Sequence, residues 1–118
     1  AVSAPFHCRL MQPAAEVMAH ALQQTPIRDL ATPLIANVTA REVTEGAAIR
    51  QLLVEQVTGT VQWEASMRRL LALGVDTFIE LGTGKVLTGM IKRIADTVRA
   101  VTVNSPEDIE KVTALIPS

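Results

Sequence analysis

Tyrosine is missing from this chain, and other aromatics are scarce: Phe6, Trp63 and Phe78 are all it has. A surface that binds single-stranded nucleic acid by base stacking is therefore not expected. Neither sign of charge is in excess. Eleven Lys and Arg against twelve Asp and Glu leave a net charge of −1, too little for bulk attraction to nucleic acid or an anionic membrane. Cys8 is the only cysteine, so no disulfide can form within the chain, which reads as cytoplasmic or from a similarly reducing compartment. No apolar run approaches the ~18 residues of a membrane span. The apolar opening is short and lacks a basic flank, so no secretory leader is expected. Adjacent His7 and Cys8, with His20 beyond, match no structural zinc spacing, and no metal is expected.

What is present is apolar. Of 118 residues, 48% are hydrophobic, more than a self-contained small domain requires. The length suits one domain, and the excess fits a piece of a larger fold or a chain with a large interface. Helical spacing runs through residues 10–24, with Pro13 tolerable only in the first turn and Pro26 beyond the end. Residues 34–38, LIANV, read as a buried strand, and a polar loop follows from Arg41 to Gly46. Residues 47–57 and the stripe Trp63, Met67, Leu70 and Leu71 predict two more helices, stopped by Gly59 and Gly74. A strand at 75–81 runs into Gly82-Thr83-Gly84-Lys85 and a helix over 86–94. A strand at 98–103 precedes a last helix capped by Ser105, with Pro106 in its first turn. Strands alternating with helices predict an α/β fold with a short, mostly parallel sheet flanked by helices.

Three features invite chemistry. The turn Gly82-Thr83-Gly84-Lys85 sits where a phosphate loop would, but it lacks the Walker spacing and the third dinucleotide glycine. A tight strand-to-helix turn explains it, and an anion or pantetheine contact stays open. His7 stands just ahead of a predicted helix, whose positive end disfavours imidazolium; a neutral histidine can be a general base, or simply structural. Gln56 shares a stripe with Ile49, Leu52 and Leu53, so an amide points inward and needs partners. His20 reads as solvated and Cys8 as a small buried thiol.

The blocks VSAPFHCRLM at the start, Asn37-Val38, LVEQVTGTVQW at 53–63 and ELGTGKVLTGMIKRI at 80–94, in this order and spacing, resemble the malonyl-CoA:acyl carrier protein transacylases of bacterial fatty acid synthesis. The resemblance spans essentially residues 1–118 and implies the C-terminal segment of an acyltransferase domain of α/β-hydrolase-like fold. His7 then matches the catalytic histidine that takes a proton from an upstream serine. Gln56 matches the glutamine whose backbone carbonyl orients that imidazole, where a triad has a carboxylate. Phe6 matches a substrate-binding position beside the histidine, as in malonyl-selective polyketide relatives. Lys85, Lys92 and Arg93 fall on one helix stripe suited to the acidic carrier protein.

The serine elbow of the family is absent, since Ser3, Ser66, Ser105 and Ser118 have no such context. The resemblance therefore implies that the N-terminal remainder of the enzyme supplies the nucleophile, and that these 118 residues alone are inactive. Arg28, Arg41 and Arg50 have no motif claim on the malonyl carboxylate and read as solvated surface arginines. The implied substrates are malonyl-CoA and the carrier-protein thiol, with coenzyme A as substrate and no cofactor. A polyketide acyltransferase segment, or a non-catalytic docking fragment, are the alternatives.

Overall fold

Pro13 sets where the first helix begins. A ring that lacks an N–H is tolerated only where no intrahelical bond is lost, and α1 accordingly runs Gln12–Gln23 with Pro13 in its first turn. The computed structural model describes residues 8–115. A single 3₁₀ turn, Arg9–Met11, occupies the ground between Cys8 and α1, so the helix starts slightly later than its apolar spacing predicts. The chain then continues through β1 (Leu34–Ile35), β2 (Glu42–Val43), α2 (Gly46–Thr58), α3 (Trp63–Ala72), β3 (Thr77–Leu81), α4 (Val86–Ile94), β4 (Arg99–Val103) and α5 (Asp108–Thr113). It divides into two compact units, residues 1–69 and 70–118.

In the first unit α1 packs on α2, and the 3₁₀ turn touches both helices. Ala15 and Ile49 are buried in these helices. Arg50 fastens them: its Nε donates to the Leu22 carbonyl at 2.8 Å and its Nη2 to the Thr25 carbonyl at 2.9 Å. The guanidinium adds donors to one carbonyl of the last turn of α1 and to one just beyond it, and sits at the negative end of the helix dipole. The expectation of a solvated Arg50 is thus corrected.

The run at 34–38 forms only two residues of strand, and Leu34 is exposed. The reason lies in the turn that follows. Thr39 and Ala40 N–H both reach back to the Ala36 carbonyl, and Ala40 takes φ 56°, in the left-handed region. The chain folds back on itself, so β2, inside the predicted polar loop, pairs antiparallel with β1. Arg69 braces this hairpin with a two-pronged ion pair to Glu42. The Arg69 guanidinium bonded to Glu42 holds that carboxyl down at about 2.

The second unit is built on β3 and β4, parallel and in register from Thr77 against Arg99 to Leu81 against Val103. Helix α4 is the crossover that parallel strands require, and it packs on both of them. Ile91, at 1% exposure, is its deepest side chain, a burial worth about 1.5–3 kcal/mol. The α/β class and the short parallel sheet flanked by helices are as the alternation of elements predicts. Helix α5 begins at Asp108, later than the Ser105-Pro106 signal suggests. Residues 105–107 form a turn instead, with Asp108 Oδ2 accepting from the Asn104 N–H at 3.0 Å and the Ser105 hydroxyl at 3.4 Å. Among the described residues no helix is long and apolar enough to cross a membrane.

Candidate functional site

Helix α2 positions Gln56. Apolar residues one and two turns apart bring Ile49, Leu52, Leu53 and Gln56 onto one face, and all four line a cavity of about 130 Å³ together with residues 34–37. Gln56 is half-buried and lines this cavity, with Asn37 on the wall of the same cavity. Helix α2 ends at once after it. Gly59 is extended (φ −87°, ψ 163°), and its N–H takes the Glu55 carbonyl at 2.8 Å. The Gln56 carbonyl belongs to this final turn, where helix carbonyls turn to partners outside the helix.

His7 and Phe6 lie outside the described residues. The residues directly after them are described: Cys8 is half-buried, and the turn Arg9–Met11 packs on α2, the helix that carries Gln56. Cys8 is thus less enclosed than a core thiol. His20 is exposed, with Nε2 3.4 Å from the Gln24 amide nitrogen. No group of three His, Cys, Asp or Glu able to hold a metal occurs among the described residues.

The glycine turn after β3 is resolved by a residue that the sequence reading passed over. Glu80 interrupts the apolar run of β3 and reaches the start of α4, accepting from the Thr88 N–H at 2.9 Å, the Thr88 hydroxyl at 2.8 Å and the Leu87 N–H at 3.3 Å. A carboxylate thus occupies two N–H donors in the first turn of α4 and ties β3 to the start of that helix. Gly82 and Gly84 have φ 120° and 94°, which glycine adopts without strain. The detectable signal was a charged residue inside a half-buried strand just before a helix.

Burial alone would raise the Glu80 carboxyl; the bonds from Thr88 and Leu87 outweigh it and hold it below its ordinary value of 4.5. A group depressed in the folded state stabilises fully above its unfolded value and loses that contribution as pH falls through the folded one. Thermal unfolding followed from pH 7 downward should show the gap between wild type and Glu80→Gln closing below about pH 4.5. Parallel curves across that range would remove the charge from the explanation.

Lys85, Lys92 and Arg93 are exposed, and none enters an ion pair among the described residues. Lys85 immediately precedes α4, whereas Lys92 and Arg93 lie in its last turn, away from buried Ile91. Other residues with fold-building roles went unsuspected. Asp29 Oδ1 accepts from the Gly46 N–H at 2.8 Å and caps α2 from a distant loop, and Gln62 ties to residues 37 and 38.

No protein-family model matches the chain. Curated relatives do. The chain is 45% identical over 109 residues, 92% of its length, to a malonyl CoA-acyl carrier protein transacylase from Bacillus subtilis, of which this is 34%. Among solved structures, an acyl-carrier-protein-S-malonyltransferase from Bartonella henselae superposes with TM-score 0.87 at 45% identity, covering 97% of this chain and 36% of that one. A malonyl-transacylase solved in complex with its type II polyketide acyl-carrier protein gives TM-score 0.86 at 34% identity, covering 98% of this chain and 38% of that one. The chain spans about a third of the length of the relatives it matches. In sequence and in fold alike, it resembles one segment of the malonyl CoA-acyl carrier protein transacylases.

Proposed function

We propose that this chain is the histidine-bearing, C-terminal segment of an enzyme that moves malonyl from malonyl-CoA to the phosphopantetheine thiol of acyl carrier protein. The observation that carries the reading is a match along 97% of the chain, at 45% identity and TM-score 0.87, to an acyl-carrier-protein-S-malonyltransferase. The N-terminal remainder of the same enzyme is the partner that supplies the serine. His7 takes the serine proton as its oxygen attacks the malonyl thioester, and returns a proton to the departing coenzyme A thiolate. The resulting malonyl-serine is then attacked by the carrier-protein thiol, with His7 as base once more and the serine oxygen as leaving group. The Gln56 carbonyl fixes the tautomer of His7 through its other ring nitrogen; it stabilises imidazolium less than a carboxylate would.

Phe6, the residue before His7 in sequence, is the substrate-binding residue of this reading. No metal or prosthetic group takes part, and the cytoplasm is where such thioesters, and a chain whose one cysteine is Cys8, belong. Fatty acid synthesis is the pathway of this reading. A polyketide carrier protein as acceptor is the second reading, favoured by the likeness to a malonyl-transacylase seen with such a partner. The test is transfer by the complete protein. Malonyl-CoA alone should add one malonyl mass to the enzyme, outside residues 1–118, and holo carrier protein should remove it. An adduct on any serine of this chain, or none on the enzyme, would overturn the proposal.

Docking follows from charge. Lys92 and Arg93 are exposed cations with no ion-pair partner among the described residues, and acyl carrier proteins are strongly acidic. Reversing both, Lys92→Glu with Arg93→Glu, should raise KM for carrier protein about tenfold at low salt, less at high salt, while malonyl-enzyme formation is unchanged. Equal loss in both half-reactions would place docking elsewhere. Lys85 belongs to the same stripe and should add a smaller effect.

A further inference from the structure

Gln62 is an exposed residue between two helices, yet it is bonded at three points. Its backbone N–H donates to the Asn37 carbonyl at 2.8 Å, and its side-chain Nε2 to the Val38 carbonyl at 2.6 Å. Its own carbonyl accepts from the Ser66 N–H at 3.0 Å and so opens α3. Val38 is held from the other side as well. A Cβ on Gly59 would lie 2.9 Å from Val38 Cγ1 and 2.8 Å from the Glu55 carbonyl oxygen. Val38 is therefore seated against the residue that ends α2 and is bonded to the residue that leads into α3.

The cavity makes this arrangement matter. Asn37 and Gln56 both line it, and each is one short step from the tie: Asn37 adjoins Val38, and Gln56 stands three residues before Gly59. Two adjacent carbonyls held by one residue cannot rotate or slide independently. We propose that Gln62 is a positioning residue, which fixes Asn37-Val38 against the end of α2 and thereby sets the polar wall that Asn37 and Gln56 present to the cavity. The proposal rests on the reading in which the Gln56 carbonyl orients His7. Catalytic geometry tolerates little displacement, whereas an exposed carbonyl deprived of Gln62 is promptly hydrated, so rate should suffer more than stability.

The experiment uses the complete enzyme with Gln62→Met, which keeps the length of the side chain and removes the donor, and Gln62→Arg, which keeps a donor. Single-turnover malonyl-enzyme formation should slow about tenfold in Gln62→Met, with KM for malonyl-CoA within about twofold and an unchanged melting temperature. Gln62→Arg should recover most of the rate. An unaltered rate in Gln62→Met overturns the proposal, and so does a loss that falls equally on KM and stability with no recovery in Gln62→Arg. Hydrogen exchange at the backbone amide of position 62 gives a readout independent of activity. It should quicken several-fold in Gln62→Met as the second tie is lost, and unchanged exchange overturns the tie. A wild-type enzyme that forms no malonyl adduct defeats the functional reading instead, and leaves the exchange result to decide the tie.

Discussion

The substitution His7→Ala in the complete enzyme is expected to lower kcat by ~10²–10⁴-fold, while KM for malonyl-CoA shifts only a few-fold. A serine hydroxyl is a poor nucleophile at neutral pH, and removing its base leaves every substrate contact in place. The loss therefore belongs to the transition state. The pH profile of malonyl-enzyme formation should lose its histidine limb together with the rate. Gln56 supplies the contrast. In the proposed mechanism it acts through its main-chain carbonyl, which survives any substitution, so Gln56→Ala should cost far less than His7→Ala. Single-turnover rates with both variants separate the roles. Near-normal turnover in His7→Ala would make His7 a structural histidine, and an equal loss in Gln56→Ala would move the work to the amide side chain.

Sequence periodicity served well where the hydrophobic pattern is the whole cause of the structure. Ile49, Leu52, Leu53 and Gln56 do share one wall, because helical spacing fixes side-chain direction whatever surrounds the helix. The parallel pair β3 and β4 with α4 between them was legible for the same reason, since apolar strand, helix and strand admit few arrangements. Contacts between distant residues were not legible. Nothing near Arg50 in sequence says that Leu22 and Thr25 will present carbonyls to it. Likewise, Glu42 and Val43, in a loop rich in polar residues, became a strand only because the Ala40 turn brings them beside Leu34 and Ile35. Glu80 and Gln62 belong to the same class: each is polar, each reaches across to backbone groups, and each is invisible to a pattern of apolar spacing. The resemblance to a family supplied the roles of His7 and Gln56, which no spacing rule could.

Gly46→Ala should be the most damaging small substitution in the first unit, and it separates helix propensity from packing. Gly46 is the first residue of α2 and is buried. Alanine is the better helix former by about 1 kcal/mol, so propensity alone predicts a gain. The surroundings forbid it. A Cβ at this position would overlap the Ile27 carbonyl oxygen and lie 2.8 Å from the Ile27 carbonyl carbon and 3.1 Å from that of Arg28. These are backbone atoms, so no side chain can swing aside, and either residues 27–28 or the first turn of α2 must move. Movement strains the Asp29 cap on the Gly46 N–H (2.8 Å) and the Leu30 N–H bond to the Thr44 carbonyl (2.7 Å), which pin that loop to the helix start. Overpacking costs about 1–3 kcal/mol and a lost cap about 1 kcal/mol; the propensity gain offsets about 1 kcal/mol, so the net expectation is destabilisation by about 1–3 kcal/mol. Gly89→Ala is the matched control, because a Cβ in the middle of α4 meets nothing within 4 Å. There propensity acts alone, and a gain of about 0.5–1 kcal/mol is expected. Denaturant midpoints of the two variants in the complete enzyme should therefore move in opposite directions, and a stabilised Gly46→Ala would show that the loop at residues 27–28 yields to the helix.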